Sequence, residues 1–185
     1  MLETERLRLR QWQPSDQEAY IAINADENVM RFFPATMNRE ETLAQIGRAH
    51  AYIEKHGWGF WAVELKATNE FIGFVGLLGQ DAQSGLPNAP MVEVGWRLSS
   101  KHWGEGYAPE AAKAALEFAF TQLNLSEVYS FTAIQNAPSR RVMEKIGMHN
   151  TEQNFDHPKL PKGHQLERHC LYRMTASQWR ALQPV

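Results

Sequence analysis

Lys101-His102-Trp103-Gly104-Glu105-Gly106-Tyr107-Ala108 separates two stretches of different period. Before it, Met91–Leu98 reads as a strand. After it, residues 108–123 place Ala111, Ala112, Ala115, Leu116, Ala119 and Leu123 on one helical face. Two glycines spaced by one residue let the backbone turn sharply and let a ligand come close to the main chain. The amides of residues 102–108 are expected to point outward, because the first N–H groups of a helix have no internal partner. Pro109 suits the first helical turn, where a missing donor costs little. Free donors at the positive end of a helix dipole make an anion site, and a diphosphate fits it better than a single carboxylate. A lone G-x-G is more often a tight turn that binds nothing. A P-loop would need Lys-Ser or Lys-Thr after the glycines, and a dinucleotide fingerprint would need a third glycine where Pro109 stands.

Outward from that segment, strands and helices interleave. Leu7 and Leu9 alternate with Arg6, Arg8 and Arg10, the pattern of a strand with one buried face. Pro14-Ser15-Asp16 opens a helix running to about Ala25. Asn38 is a candidate N-cap for a second helix with Leu43, Ile46, Ala49 and Ile53 at helical spacing, ending near Gly57. Phe60–Leu65 and residues 71–78, joined by 66–70, read as a hairpin. Residues 80–90, rich in Gly, Pro, Asn and Ser, read as a loop. Met91–Leu98 is then the fourth strand and residues 128–134 the fifth. A short helix over 138–146 is stopped by Gly147. Residues 148–154 and 168–174 are weaker strands on either side of the Pro- and His-rich stretch 155–163. The order implies one α/β (α+β) domain over residues 1–185, with a mixed, mostly antiparallel sheet and helices on its faces.

Bulk properties exclude several classes. The chain has 185 residues and a formal charge of −2, without a long like-charge run, so nucleic acid and anionic membranes are not expected partners. Its one cysteine, Cys170, permits no intrachain disulfide, and a reducing compartment, the cytoplasm, is expected. The charged start carries no apolar signal core. The longest apolar run, 71–79, is about half of the roughly 18 residues that suggest a membrane helix. The histidines near Cys170 match no zinc spacing, and no metal is expected.

Lys101-x-x-Gly104-x-Gly106-Tyr107-Ala108-x-Glu110-Ala111 resembles the acetyl-CoA motif of the GNAT acetyltransferases, and Asn136-x-x-Ser139-x-x-Val142-Met143-Glu144-Lys145-Ile146-Gly147-Met148 resembles the strand-helix segment that follows it in that family. The two together look most like the RimJ/RimL branch. Lys101 stands where Arg or Gln is usual, and Pro109 replaces a common Thr. The segment 155–173 looks instead like a general bacterial subgroup. The resemblance implies a sheet splayed between the fourth and fifth strands, with acetyl-CoA bound in the split as cosubstrate. It places the pyrophosphate on His102, Trp103, Gly104, Glu105, Gly106, Tyr107 and Ala108. The pantetheine arm then lies along Trp96, Arg97, Leu98 and Ser99, with Asn136, Ser139 and Met143 contributing further on. By the same likeness the Arg97 amide faces the thioester oxygen, where such a donor supplies a few kcal/mol.

Glu93 is the implied base. A glutamate inside a buried strand has a raised pKa; a structural carboxylate paired with an arginine such as Arg97 is the even alternative. Ser139 stands where some relatives carry a general acid, yet Asn136 and Ser139 are equally good helix caps. No tyrosine matches the acid of other branches, and a thiol with pKa near 8.5 hardly needs one. His157 and His164 either line the acceptor pocket or tie down their loop. Cys170 lacks a nucleophile's surroundings, so direct transfer to a primary amine, on a protein N-terminus or a small molecule, is expected. The alternative is an acyl-CoA sensor of the same fold without turnover. Monomer and homodimer both remain open.

Overall fold

β1 (Leu2–Glu3) and β2 (Leu7–Arg10) lead through a 3-10 turn at Pro14–Asp16 into α1 (Gln17–Ala25) in the computed structural model, which describes residues 1–185. α2 (Arg39–His56) begins where the sequence says it should. The Asn38 carboxamide accepts from the Glu41 amide at 2.8 Å, and the Glu41 carboxylate accepts from the Asn38 amide at 3.1 Å. Gly57 ends it at φ 78°, a left-handed conformation that glycine adopts without steric cost. There follow β3 (Phe60–Leu65), β4 (Phe71–Gln80), β5 (Met91–Leu98), α3 (Tyr107–Thr121) and β6 (Glu127–Ala133). The chain ends with α4 (Ala137–Lys145), β7 (His149–Asn150), β8 (Phe155–Asp156), β9 (Arg168–Thr175) and α5 (Ala176–Ala181). The expected fourth and fifth strands are therefore β5 and β6, displaced in number by the short β1. The α/β class holds, with a mixed and mostly antiparallel sheet.

Two compact units divide the chain, and β4, β5 and α3 each run from one into the other. The first unit comprises Met1–Leu77 and Gly95–Ala114. In it β1, β2, β3 and β4 pair antiparallel in sequence order. Leu7 and Leu9 are fully buried, as alternation requires, together with Tyr20, Val63, Ile72 and Val75. Arg10, expected on the outer face, is also buried. It makes a two-pronged pair with Asp16 (2.8 and 2.9 Å) and a third bond to Glu64 (2.8 Å). Opposite charge with a bond to each guanidinium nitrogen is what lets that group leave water.

The second unit comprises Leu78–Val94 and Ala115–Val185. β6 and β9 pair antiparallel from Glu127↔Thr175 to Ala133↔His169. The other edge of β9 is shared by β7 (His149↔Arg173) and β8 (Phe155↔His169). The strand expected over 148–154 thus shrinks to two residues, because the chain leaves the ladder and rejoins it as β8, inside the Pro- and His-rich stretch 155–163. β5 pairs with β6 in parallel, as strands joined by a helical crossover must. Their register is confined to Glu93↔Tyr129. Next to that pair the Ser130 hydroxyl donates to the Val94 carbonyl at 2.9 Å, so a side chain there satisfies main chain. Ser130→Ala would leave this buried carbonyl without that donor and is expected to cost about 1–2 kcal/mol in denaturant unfolding.

Candidate active site

The glycine segment lies in the first unit, and its geometry is that of an open backbone cradle. Gly104 and Gly106 both adopt φ +81°, where a side chain is strained. A Cβ at Gly104 would meet nothing within 4 Å. The cradle is shorter than expected. The His102 and Trp103 amides are consumed in the 3-10 turn at Ser100–His102, donating to the Ser99 and Ser100 carbonyls (3.0 and 3.3 Å). Tight 3-10 turns use i→i+3 bonds, and that turn removes both residues from the row of free donors. The amides of Gly104, Glu105, Gly106, Tyr107 and Ala108 make no hydrogen bond within the chain and converge on the N-terminus of α3. These residues fit a diphosphate.

A cation stands beside the cradle that sequence reading did not single out. Arg6 lies over the Tyr107 ring at 4.4 Å, and its Nη2 would be 3.5 Å from a Cβ at Gly106. Glu110 holds it there: one carboxylate oxygen accepts from the Thr4 hydroxyl (2.6 Å) and the Arg6 amide (2.9 Å), the other from Arg6 Nε (2.7 Å). The Glu110 carboxyl is lowered below its ordinary value because these bonds outweigh its partial burial. Arg6→Gln is expected to weaken coenzyme A binding about 3- to 10-fold at low salt and less at high salt, by calorimetric titration.

Along β5, the residues expected to face pantetheine differ in availability. The Leu98 carbonyl accepts from the Trp103 indole at 3.1 Å, and the Ser99 amide donates to Ile72 at 2.8 Å, so both are already occupied. The Ser99 hydroxyl makes no capping bond, and Trp96 is only partly buried. Arg97 turns its side chain to Tyr20 and Asn24, not to Glu93. The pairing alternative for Glu93 is thereby set aside.

Glu93 belongs to the second unit and lines a cleft of about 550 Å³ with Leu78, Gln80, Phe131, His157, Lys159 and part of the 81–86 loop. Its Oε2 accepts from Gln80 Nε2 at 2.8 Å. Burial raises the carboxyl from its ordinary 4.5 to about 7, against the opposing pull of the Gln80 bond and the Lys159 charge. His157 is pushed the other way, to about 4, first by burial and then by the neighbouring positive groups His169 and Lys159. Its Nδ1 accepts from the Lys159 amide (3.1 Å), which leaves the ring proton on Nε2. The His157 and His169 rings lie 4.8 Å apart. His164, by contrast, ties down its loop, accepting at Nδ1 from the Leu166 amide.

Asn136 and Ser139 also lie in the second unit, and both alternatives drawn for them bear on it. Asn136 Oδ1 caps α4 through the Ser139 amide (3.2 Å) while its Nδ2 donates to Thr132 (2.9 Å). The Ser139 hydroxyl makes no hydrogen bond. Met143 is 1% exposed and sits in the core, so its thioether is not offered to a ligand. Burial pushes the Cys170 thiol up, away from the thiolate form a nucleophile needs.

Residues 6–149 match the model of the acetyltransferase (GNAT) domain family. The chain is 32% identical over 149 residues to YkkB of Bacillus subtilis strain 168, covering 80% of this chain and 84% of that protein. It is 29% identical over 184 residues to the uncharacterized N-acetyltransferase YnaD of the same organism, covering 96% and 98%. A GNAT-family acetyltransferase structure from Bacillus anthracis superposes with a TM-score of 0.78 at 27% identity, over 95% of this chain and 98% of that one.

Proposed function

The chain belongs to the GNAT acetyltransferase family, and from that premise we propose that it transfers acetyl from acetyl-CoA directly to a primary amine, with Glu93 as the base. The observation that carries this reading is a carboxyl at about 7 facing a cleft. At neutral pH roughly half of such carboxyls are ionised and able to take a proton. An α-amine near 7.8 passes its proton to that group at a cost of about 1 kcal/mol, whereas a lysine amine near 10.4 costs about 4.6. The preferred acceptor is therefore an amine of low pKa, on a protein N-terminus or a small molecule; the RimJ/RimL-like pattern of residues 101–111 and 136–148 together points the same way.

When bound, acetyl-CoA supplies the activated acetyl group. The five free amides of Gly104–108 and the charge of Arg6 would hold its pyrophosphate. Trp96, Arg97 and the Ser99 hydroxyl would follow the pantetheine arm, and the Arg97 amide would face the thioester oxygen. Asn136 contributes by fixing the start of α4, with the Ser139 hydroxyl free to meet the leaving sulfur. Gln80 is a positioning residue: its donated bond favours the ionised form of Glu93. Gln80→Leu is expected to move the acidic limb of the pH–rate profile to higher pH. An unmoved limb would mean that Gln80 does not tune the base.

The test is thiol release from acetyl-CoA over N-terminal peptides, polyamines and aminoglycosides. Acceleration by amines of low pKa supports the proposal. Binding of acetyl-CoA with no amine accelerating release would favour the sensor alternative.

A further inference from the structure

Arg97 carries a charge into the first unit with no carboxylate to meet it. Arg6, Arg8, Arg10 and Arg39 of the same unit each pair with a Glu or Asp. The Nη1 of Arg97 instead donates to Asn24 Oδ1 at 2.9 Å and to the Tyr20 hydroxyl at 3.2 Å. It lies 3.5 Å from Gln45 Oε1 and 3.8 Å from Met37 Sδ. All of these groups are neutral. Burial pushes the Tyr20 phenol up, so it supplies no phenolate. Tyr20 in turn donates to Gln45 (2.8 Å), and Asn24 donates to Thr42 and Gln45 (3.2 and 3.1 Å), which fixes the acceptors in place.

The unused side of the guanidinium is specific. Nε is buried and has no hydrogen-bond partner, and the side-chain bonds that Arg97 makes all run from Nη1. The Nε–H and the adjacent Nη2–H form the edge that grips both oxygens of one carboxylate. Phe33 lies under the guanidinium at 4.5 Å and Phe74 at 5.6 Å, and the Phe33 side chain is itself exposed. Aromatic faces offset a buried cation only in part.

We propose that the Nε–Nη2 edge of Arg97 is a carboxylate-binding site walled by Phe33. A carboxylate would supply the missing counter-charge and satisfy the orphaned Nε–H together, which no neutral ligand does.

The experiment is thermal unfolding of the full chain, without acetyl-CoA, titrated at constant ionic strength with acetate, inorganic phosphate or chloride. Acetate is expected to raise Tm along a single-site curve, and chloride is not. Arg97→Met should abolish the response and raise the Tm of the unliganded protein, since an uncompensated charge is removed while packing is kept. Arg97→Lys, which lacks the two-pronged edge, should weaken the apparent acetate affinity at least tenfold. A wild-type protein without a saturable acetate response, or an equal response in Arg97→Met, would overturn the site. Response to phosphate with acetate inert would overturn the carboxylate assignment.

Discussion

Glu93→Gln is expected to lower kcat/KM by about 10²- to 10⁴-fold while making the protein more stable at neutral and alkaline pH. The fall follows from losing the base: an amide accepts the same Gln80 bond but takes no proton. The gain in stability follows from linkage. The carboxyl rises from an ordinary 4.5 to about 7 on folding, because burial penalises the charged form. Below pH 4.5 both folded and unfolded chains hold the proton, and the carboxyl costs nothing. Between 4.5 and 7 the unfolded chain ionises first, and stability falls. Above 7 the full penalty is in place, on the order of 3 kcal/mol. Glu93→Gln should therefore match wild type near pH 4 and exceed it increasingly up to pH 7 in denaturant unfolding. Equal stability at pH 8 would mean that the carboxyl is not held out of water.

Gly106→Trp should abolish coenzyme A binding, with Kd raised at least 100-fold, while the fold largely survives. At φ +81° any side chain costs about 1–2 kcal/mol, which a stable domain absorbs. An indole there meets Arg6 Nη2 and covers the run of free amides. Gly104→Ala is the control. Its Cβ enters open space, so only the backbone strain remains, and a smaller loss of affinity is expected. Unchanged affinity in Gly106→Trp would refute the cradle.

What was legible in the sequence is what local chemistry determines. Asn38 and Glu41 cap α2 across three residues, Gly57 and Gly147 stop helices in the left-handed region, and Gly104 and Gly106 turn the backbone into α3. Each result follows from residues adjacent in the chain. What escaped the sequence depends on distant partners. Arg6 reaches the cradle only because Glu110, 104 residues away, holds it. Alternation placed Arg10 on the outer face of β2, yet Asp16 and Glu64 hold it inside. The row of free amides was overestimated by two, since hydrogen bonding in the 3-10 turn at Ser100–His102 is not visible in composition. Gln80 stood in a stretch read as loop. The extension of β4 to Gln80 sets it against Glu93 and makes it part of the proposed base.

The central claim, that Glu93 takes the proton from the acceptor amine, is tested most directly by kcat/KM against pH, from 5 to 9, for wild type and Glu93→Gln with one α-amine acceptor. Wild type is predicted to rise with the carboxyl's ionisation near 7 and to fall as the free amine loses the proton that Glu93 would take; in Glu93→Gln the ionisation near 7 should vanish and the rate should instead rise with the amine's own ionisation. Persistence of the ionisation near 7 in Glu93→Gln would contradict the assignment.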